Sequence, residues 1–146
     1  MKQYQQVAVG GFILNDKKEV LLVKRSDTDD FLPGLWELPG GGLDFGENPT
    51  TGTQRELLEE VGLDTEVGKP LSVDTYFMEK GEEKIHRVEI TFLCMMIKNN
   101  QEVILSHEHS EYTWLSKENL KEIEMTDYMS GIVQNCFENL QMPGRI

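Results

Sequence analysis

Residues 41–63 read GGLDFGENPTTGTQRELLEEVGL, and the signals in this stretch predict a helix framed at both ends. Asn48 followed by Pro49 supplies an N-cap and a proline at the first helical position. Gly62 stands where a helix ending near Val61 takes its left-handed residue. At about 100° per residue with Glu56 at the origin, Glu59 falls at roughly 300° and Glu60 at roughly 40°. Leu57, Val61 and Leu58 fall at roughly 100°, 140° and 200°. The acids share one face and the apolar residues the other, so the apolar face is expected on a sheet and the acid face outward. Glu56 and Glu60 then form a like-charge i,i+4 pair costing roughly 0.2–0.5 kcal/mol in an isolated helix. No Lys or Arg follows three or four positions on to offset it.

Taken alone, three surface glutamates on a helix are more often a solvated face than a site. The neighbours change that weighting. Pro39-Gly40-Gly41-Gly42 brings the backbone to a place where side chains would be in the way. Glu47 precedes the helix, where its carboxylate can bind either the helix N-terminus or the Arg55 guanidinium. Hard oxygen ligands converging beside such a loop suit Mg²⁺ or Mn²⁺. A divalent cation would relieve the repulsion and let an acidic protein hold a phosphate ester.

Outward from the helix, residues 7–14 and 19–25 flank the turn-forming Asn15-Asp16-Lys17-Lys18 and predict a β-hairpin. Residues 26–46 are crowded with Asp, Pro and Gly and read as loop, with a short extended piece at Trp36–Leu38. Residues 69–79 and 85–97 read as two strands joined by a charged turn, and 113–115 as a further short strand. A short helix is expected after Ser116 and a longer one from Thr126, whose stripe of Tyr128, Ile132, Val133, Cys136, Phe137 and Leu140 reads as core. The mixture predicts one α/β domain over 1–146, with a mixed sheet covered by helices.

The length suits one domain, hiding roughly 68–70% of its unfolded surface. With 26 Asp plus Glu against 14 Lys plus Arg, the net charge of -12 opposes a long nucleic acid or an anionic membrane as partner. The apolar run near the N-terminus is too short to span a bilayer and leads into charged NDKKE. Cys94 and Cys136 read as small buried hydrophobes, which suits a reducing, cytoplasmic setting.

Gly41, Glu47, Arg55-Glu56-Leu57, Glu59-Glu60, Gly62 and Leu63 stand at the spacing G-x5-E-x7-R-E-U-x-E-E-x-G-U, with U aliphatic. This pattern resembles the Nudix box (41–63), and GLWELPGG before it and EYTWLSKENL after it are also similar to small, MutT-like members of the Nudix hydrolase family. The resemblance implies an α/β/α sandwich with a mixed sheet between helices. It also implies divalent metal and hydrolysis of a nucleoside diphosphate linked to another moiety. One departure is Pro49–Gln54, where relatives often carry alanines. Gly52 there costs about 1 kcal/mol against Ala, so the first turn is expected to fray.

By that resemblance Glu56, Glu59 and Glu60 would hold Mg²⁺ or Mn²⁺ with the Gly40 carbonyl, Glu108 is a further candidate ligand from a loop outside the box, and Arg55 would pair with Glu47 to fix the glycine loop. The general base stays open among Glu56, Glu59 and a loop glutamate, for which Glu108 in SHEHSE is the candidate. If that segment is only a solvated loop, His107 and His109 are bystanders. Lys24, Arg25 and Arg87 are candidates for substrate phosphates, with Arg25 favoured. Trp36 reads as core, whereas Phe31 and Tyr76 stay open between core and base stacking.

Lack of a proline near 79 and of a tyrosine near 80–81 favours a nucleoside triphosphate over ADP-ribose or a dinucleoside polyphosphate. A homodimer is compatible with the habits of relatives. Two other readings are a non-catalytic nucleotide-sensing or protein-binding module on the same fold and a Ca²⁺-binding acidic helix. The complete set of acids opposes the first, and the lack of a D-x-D-x-D-G loop opposes the second.

Overall fold

A computed structural model describes residues 1–29 and 31–141. Strands β1 (Lys2–Ile13), β2 (Val20–Arg25), β3 (Trp36–Glu37) and β4 (Gly40–Gly42) precede helix α1 (Pro49–Val61). Strands β5 (Thr65–Lys80), β6 (Glu83–Met96) and β7 (His109–Leu115) follow, then a 3₁₀ turn at Lys117–Glu122 and helix α2 (Asp127–Asn139).

The strands form two sheets, one mixed with order β4-β1-β6-β5 and one antiparallel with order β3-β2-β7. The expected mixed sheet is present, with β1 parallel to β6 over all its residues. The expected hairpin of β1 and β2 is reduced to one bridge, Leu14 to Val20. A strand has only two edges: β6 takes one edge of β1 and β4 takes the other at Ala8–Gly10. The connection is still tight, because Asn15 Oδ1 accepts from the amides of Lys17 and Glu19 at 3.0 and 2.9 Å.

Alternation along β1 and β2 sorts their side chains into two cores. Phe12, Val20 and Leu22 pack with Ile132, Val133, Cys136 and Phe137 of α2. Val9, Ile13, Leu21 and Val23 pack with Leu57 and Val61 of α1. Each helix therefore covers one side, which is the α/β/α sandwich, and continuous apolar strands such as VLLV are those covered on both faces. Cys94 and Cys136 are buried and free, and burial pushes both thiols up to about 12. Among the described residues no helix is long and apolar enough to cross a membrane.

Candidate active site

Helix α1 starts and ends as its sequence requires. Asn48 accepts from the Thr50 amide at 2.8 Å, and Gly62 takes the left-handed conformation at φ 69°. The first turn does not fray, since the Thr53 hydroxyl donates to the Pro49 carbonyl at 2.7 Å and Thr53 is fully buried. Gly52 is there for room. A Cβ at Gly52 would strike Leu43 and lie 2.9 Å from Glu47 Oε1, so alanine would push the Glu47 carboxylate from its seat.

That seat belongs to Arg55. Its Nε and Nη2 donate to the two Glu47 oxygens at 2.7 and 2.8 Å, a bidentate pair, and Nη2 also reaches the Gly42 carbonyl at 3.3 Å. Those bonds hold the Glu47 carboxyl down near a pKa of about 2 and raise Arg55. Nη1 of Arg55 donates to Glu56 at 3.0 Å and to Glu59 at 3.1 Å. The repulsion on the acid face is thus offset by an arginine that precedes the glutamates and not by a cation three or four positions after them.

The acid face does not look outward as a unit. Glu59 is exposed, Glu56 packs against Gly41, and Glu60 is only 7% exposed, while Leu58 on the supposed apolar face is 52% exposed. A Cβ at Gly41 would overlap the Glu56 carboxylate, with its Oε1 2.8 Å away. At Gly40 a Cβ would run into the Val9 carbonyl of the paired strand β1 and sit 2.7 Å from Gly10 Cα. The glycines thus let strand β4 lie directly between β1 and the carboxylates.

Glu60 carries the largest electrostatic burden. Desolvation raises its pKa, the charges of Glu37, Glu108 and Glu56 raise it further, and the Gly40 amide bond opposes them, with a result of about 9. Among the described residues its Oε2 has no hydrogen-bond partner, and neither has His109 Nδ1, which lies 3.6 Å from it. Glu56 is also raised, first by desolvation and then by Glu59 and Glu108, against the pull of Arg55.

Glu108 therefore sits within electrostatic reach of Glu56 and Glu60, exposed on a cleft wall. His109 is no bystander. It opens strand β7, is 5% exposed, and its Nε2 meets Glu37 Oε2 at 2.9 Å. Glu37 and His109 are the residues that reading the sequence missed. The signal for Glu37 was its place in GLWELPGG, three residues before the glycine run begins. His109 lies inside the polar run SHEHSE, which carries no local signal of its burial.

A cleft of about 600 Å³ opens beside this cluster, with Glu37, Gly40, Gly41 and Glu108 on its wall. Arg25 reaches it but is committed, donating to the Phe31 carbonyl at 2.7 Å, to Glu37 at 3.0 Å and to Asp29 at 2.7 Å. Lys24 is not on the wall and pairs with Glu111 at 3.3 Å. Arg87 is on the wall and bonds Gln6 and the Tyr76 hydroxyl, with no carboxylate at ion-pair distance among the described residues. Trp36 shares its side chain between the core and the cleft, Phe31 and Tyr76 line the cleft, and Lys80 joins them.

Among the described residues no three His, Cys, Asp or Glu side chains already form a cage for a metal ion. The donor set still fits a hard divalent cation. Among the described residues a buried carboxylate oxygen lacks a partner, neighbouring acids repel it, and the glycine strand brings its backbone against them.

The NUDIX domain model matches residues 4–136. Nudix hydrolase 8 of Arabidopsis thaliana is 34% identical over 100 residues, which is 68% of this chain and 26% of that protein, so the chain spans about a quarter of that relative's length. The nucleoside triphosphatase NudI of Escherichia coli is 33% identical over 124 residues, covering 80% of this chain and 85% of NudI. The crystal structure of a MutT protein from Methanosarcina mazei Go1 superposes with a TM-score of 0.79 at 28% identity, covering 97% of this chain and 99% of that one. The chain belongs to the NUDIX domain family. The class defined by that membership and this fold is the Nudix pyrophosphohydrolase.

Proposed function

We propose that this chain hydrolyses a nucleoside diphosphate linked to another moiety, most concretely a nucleoside triphosphate, in a reaction that depends on Mg²⁺ or Mn²⁺. The observation that carries the reading is Glu60: a buried carboxylate with an oxygen unpartnered among the described residues, crowded by Glu37, Glu108 and Glu56, two of which, Glu37 and Glu108, line a cleft of nucleotide size with Gly40 and Gly41. The triphosphatase activity named for NudI supports the choice of substrate.

Glu56, Glu59, Glu60 and Glu108, with the Gly40 carbonyl, are the groups that would hold the cation. When bound, it would supply positive charge at the diphosphate oxygens and acidify a water. Glu56, Glu59 and Glu108 are the candidates to take a proton from an attacking water, a role worth typically 10²–10⁴-fold in rate. Arg55 positions three of the acids at once, holding Glu47, Glu56 and Glu59. Arg87 faces the substrate from the cleft wall, Arg25 is held back by Phe31, Asp29 and Glu37, and the apolar residues Leu35, Leu38 and Met129 limit water around the substrate.

Glu59 is exposed and outside both cores, so Glu59→Gln should leave the far-ultraviolet circular dichroism and melting temperature near wild type. If Glu59 serves the chemistry, turnover of nucleoside triphosphates should fall at least a hundredfold, within the range for loss of a general base. Unchanged turnover would remove Glu59 from the chemistry. A panel of nucleotides with Mg²⁺ and with Mn²⁺, read as released phosphate and pyrophosphate, tests the activity itself. Failure of every nucleotide would end the hydrolase reading.

A further inference from the structure

Strand β6 places Arg87 and Glu89 on one face of the mixed sheet, two residues apart. Their register partners on β5 are Tyr76 and Asp74, and on β1 Gln6 lies beside Arg87. From α2, Tyr128 leans over this face and donates to Glu89 Oε1 at 3.3 Å, its ring 5.3 Å from that of Tyr76. Tyr76, Arg87, Glu89 and Tyr128 all line the cleft.

None of the acids assigned to the cation is in this group, and a carboxylate here has a cost. Desolvation pushes the Glu89 carboxyl up, against the pull of the Tyr128 hydroxyl and the Arg87 charge. Arg87 directs its bonds to Gln6 and Tyr76, and Asp74 is engaged by the Ser72 hydroxyl. Among the described residues Glu89 is left with one long side-chain hydrogen bond, and it lines the cavity with acceptor capacity to spare. A carboxylate in that position is stabilised by a ligand that brings N–H donors.

We propose that Glu89 determines base specificity, and that with Arg87 it selects a base edge carrying an exocyclic amine at one end and a carbonyl at the other. Guanine and cytosine have that edge. Uracil and thymine present a carbonyl at both ends, one of which would face the carboxylate. Adenine carries its amine but no carbonyl on that edge, so the end turned to Arg87 is a C–H. Arg87 thereby contacts the base rather than a phosphate. The inference rests on the nucleotide reading above and adds the class of base.

The test is an NMR titration of the wild type and of Glu89→Gln with GMP, CMP, UMP and AMP, whose single phosphate has no anhydride to cleave. The wild type should bind GMP, CMP or both roughly tenfold or more tightly than UMP and AMP, in keeping with the discrimination of a paired base contact. The two favoured arms separate guanine from cytosine. Glu89→Gln should lose most of that advantage and leave UMP and AMP nearly unchanged, and Glu89→Asp should keep part of it. Equal affinity for all four bases, no binding of any, or an equal loss on all four in the variant would overturn the proposal. The last result would mean that Glu89 only holds Tyr128. Turnover separates the two readings: an active enzyme with one kcat/KM for all four triphosphates removes the base preference alone. No turnover beside a measured base preference removes the hydrolase reading alone.

Discussion

Replacing Glu60 by Gln should stabilise the cation-free protein and abolish its activity. In the folded chain the Glu60 carboxyl titrates near 9, raised from 4.5 by burial and by Glu37, Glu108 and Glu56. A folded pKa raised above the unfolded one means that the contribution to stability is complete below pH 4.5 and is lost as pH climbs through about 9. The slope is about 1.4 kcal/mol per pH unit, so by neutral pH the loss is about 3 kcal/mol. Glutamine keeps the shape, carries no charge, and can donate from its amide to the orphaned His109 Nδ1. In chelator at neutral pH, Glu60→Gln should therefore melt roughly 10 °C above wild type for a chain of this size. Its melting temperature should be flatter between pH 5 and 9, measured by calorimetry. Adding Mg²⁺ or Mn²⁺ should raise the wild type and not the variant. A variant that melts below wild type in chelator, or whose pH profile runs parallel to it, would refute the account of Glu60 as a carboxylate waiting for a cation.

Gly41→Ala should lower kcat by an order of magnitude and stability by about 1–3 kcal/mol, because its Cβ falls on the Glu56 carboxylate; kinetics and a melt read the two together. Arg25→Ala should mainly lower the melting temperature, since its guanidinium bonds Phe31, Asp29 and Glu37, whereas Arg87→Ala should raise KM about tenfold with kcat less affected. The reverse pattern in steady-state kinetics would restore Arg25 as the substrate contact. Arg55→Lys should lose most activity despite the retained charge, because an ammonium cannot bind Glu47 in bidentate fashion while reaching Glu56 and Glu59; activity near wild type would show that charge alone suffices.

The local parts of this protein are legible in its sequence. Asn48-Pro49 and Gly62 bound α1 because caps act within one turn, and the stripe from Tyr128 to Leu140 finds α2 because helical period is a property of the chain itself. The pairing of Arg55 with Glu47 follows from a family pattern that spans only a few residues. The partners of β1 and β2 are not legible, since each strand's apolar run reads the same whichever edge it meets, and only competition with β6 and β4 moves β2 into a second sheet.

The site divides the same way. Sequence alone determined that three glutamates, an arginine and a glycine run would stand together, because their spacing on one helix and its preceding loop leaves little freedom. Tertiary structure decided which of those charges are buried. Glu60 turns inward because β3, β4 and β7 close over it with Glu37, Gly40 and His109, and Arg25 is withdrawn from substrate because Asp29 and Glu37 reach it first. Desolvation and charge pairing depend on what the rest of the chain brings within a few ångströms, and no local stretch of sequence contains that information.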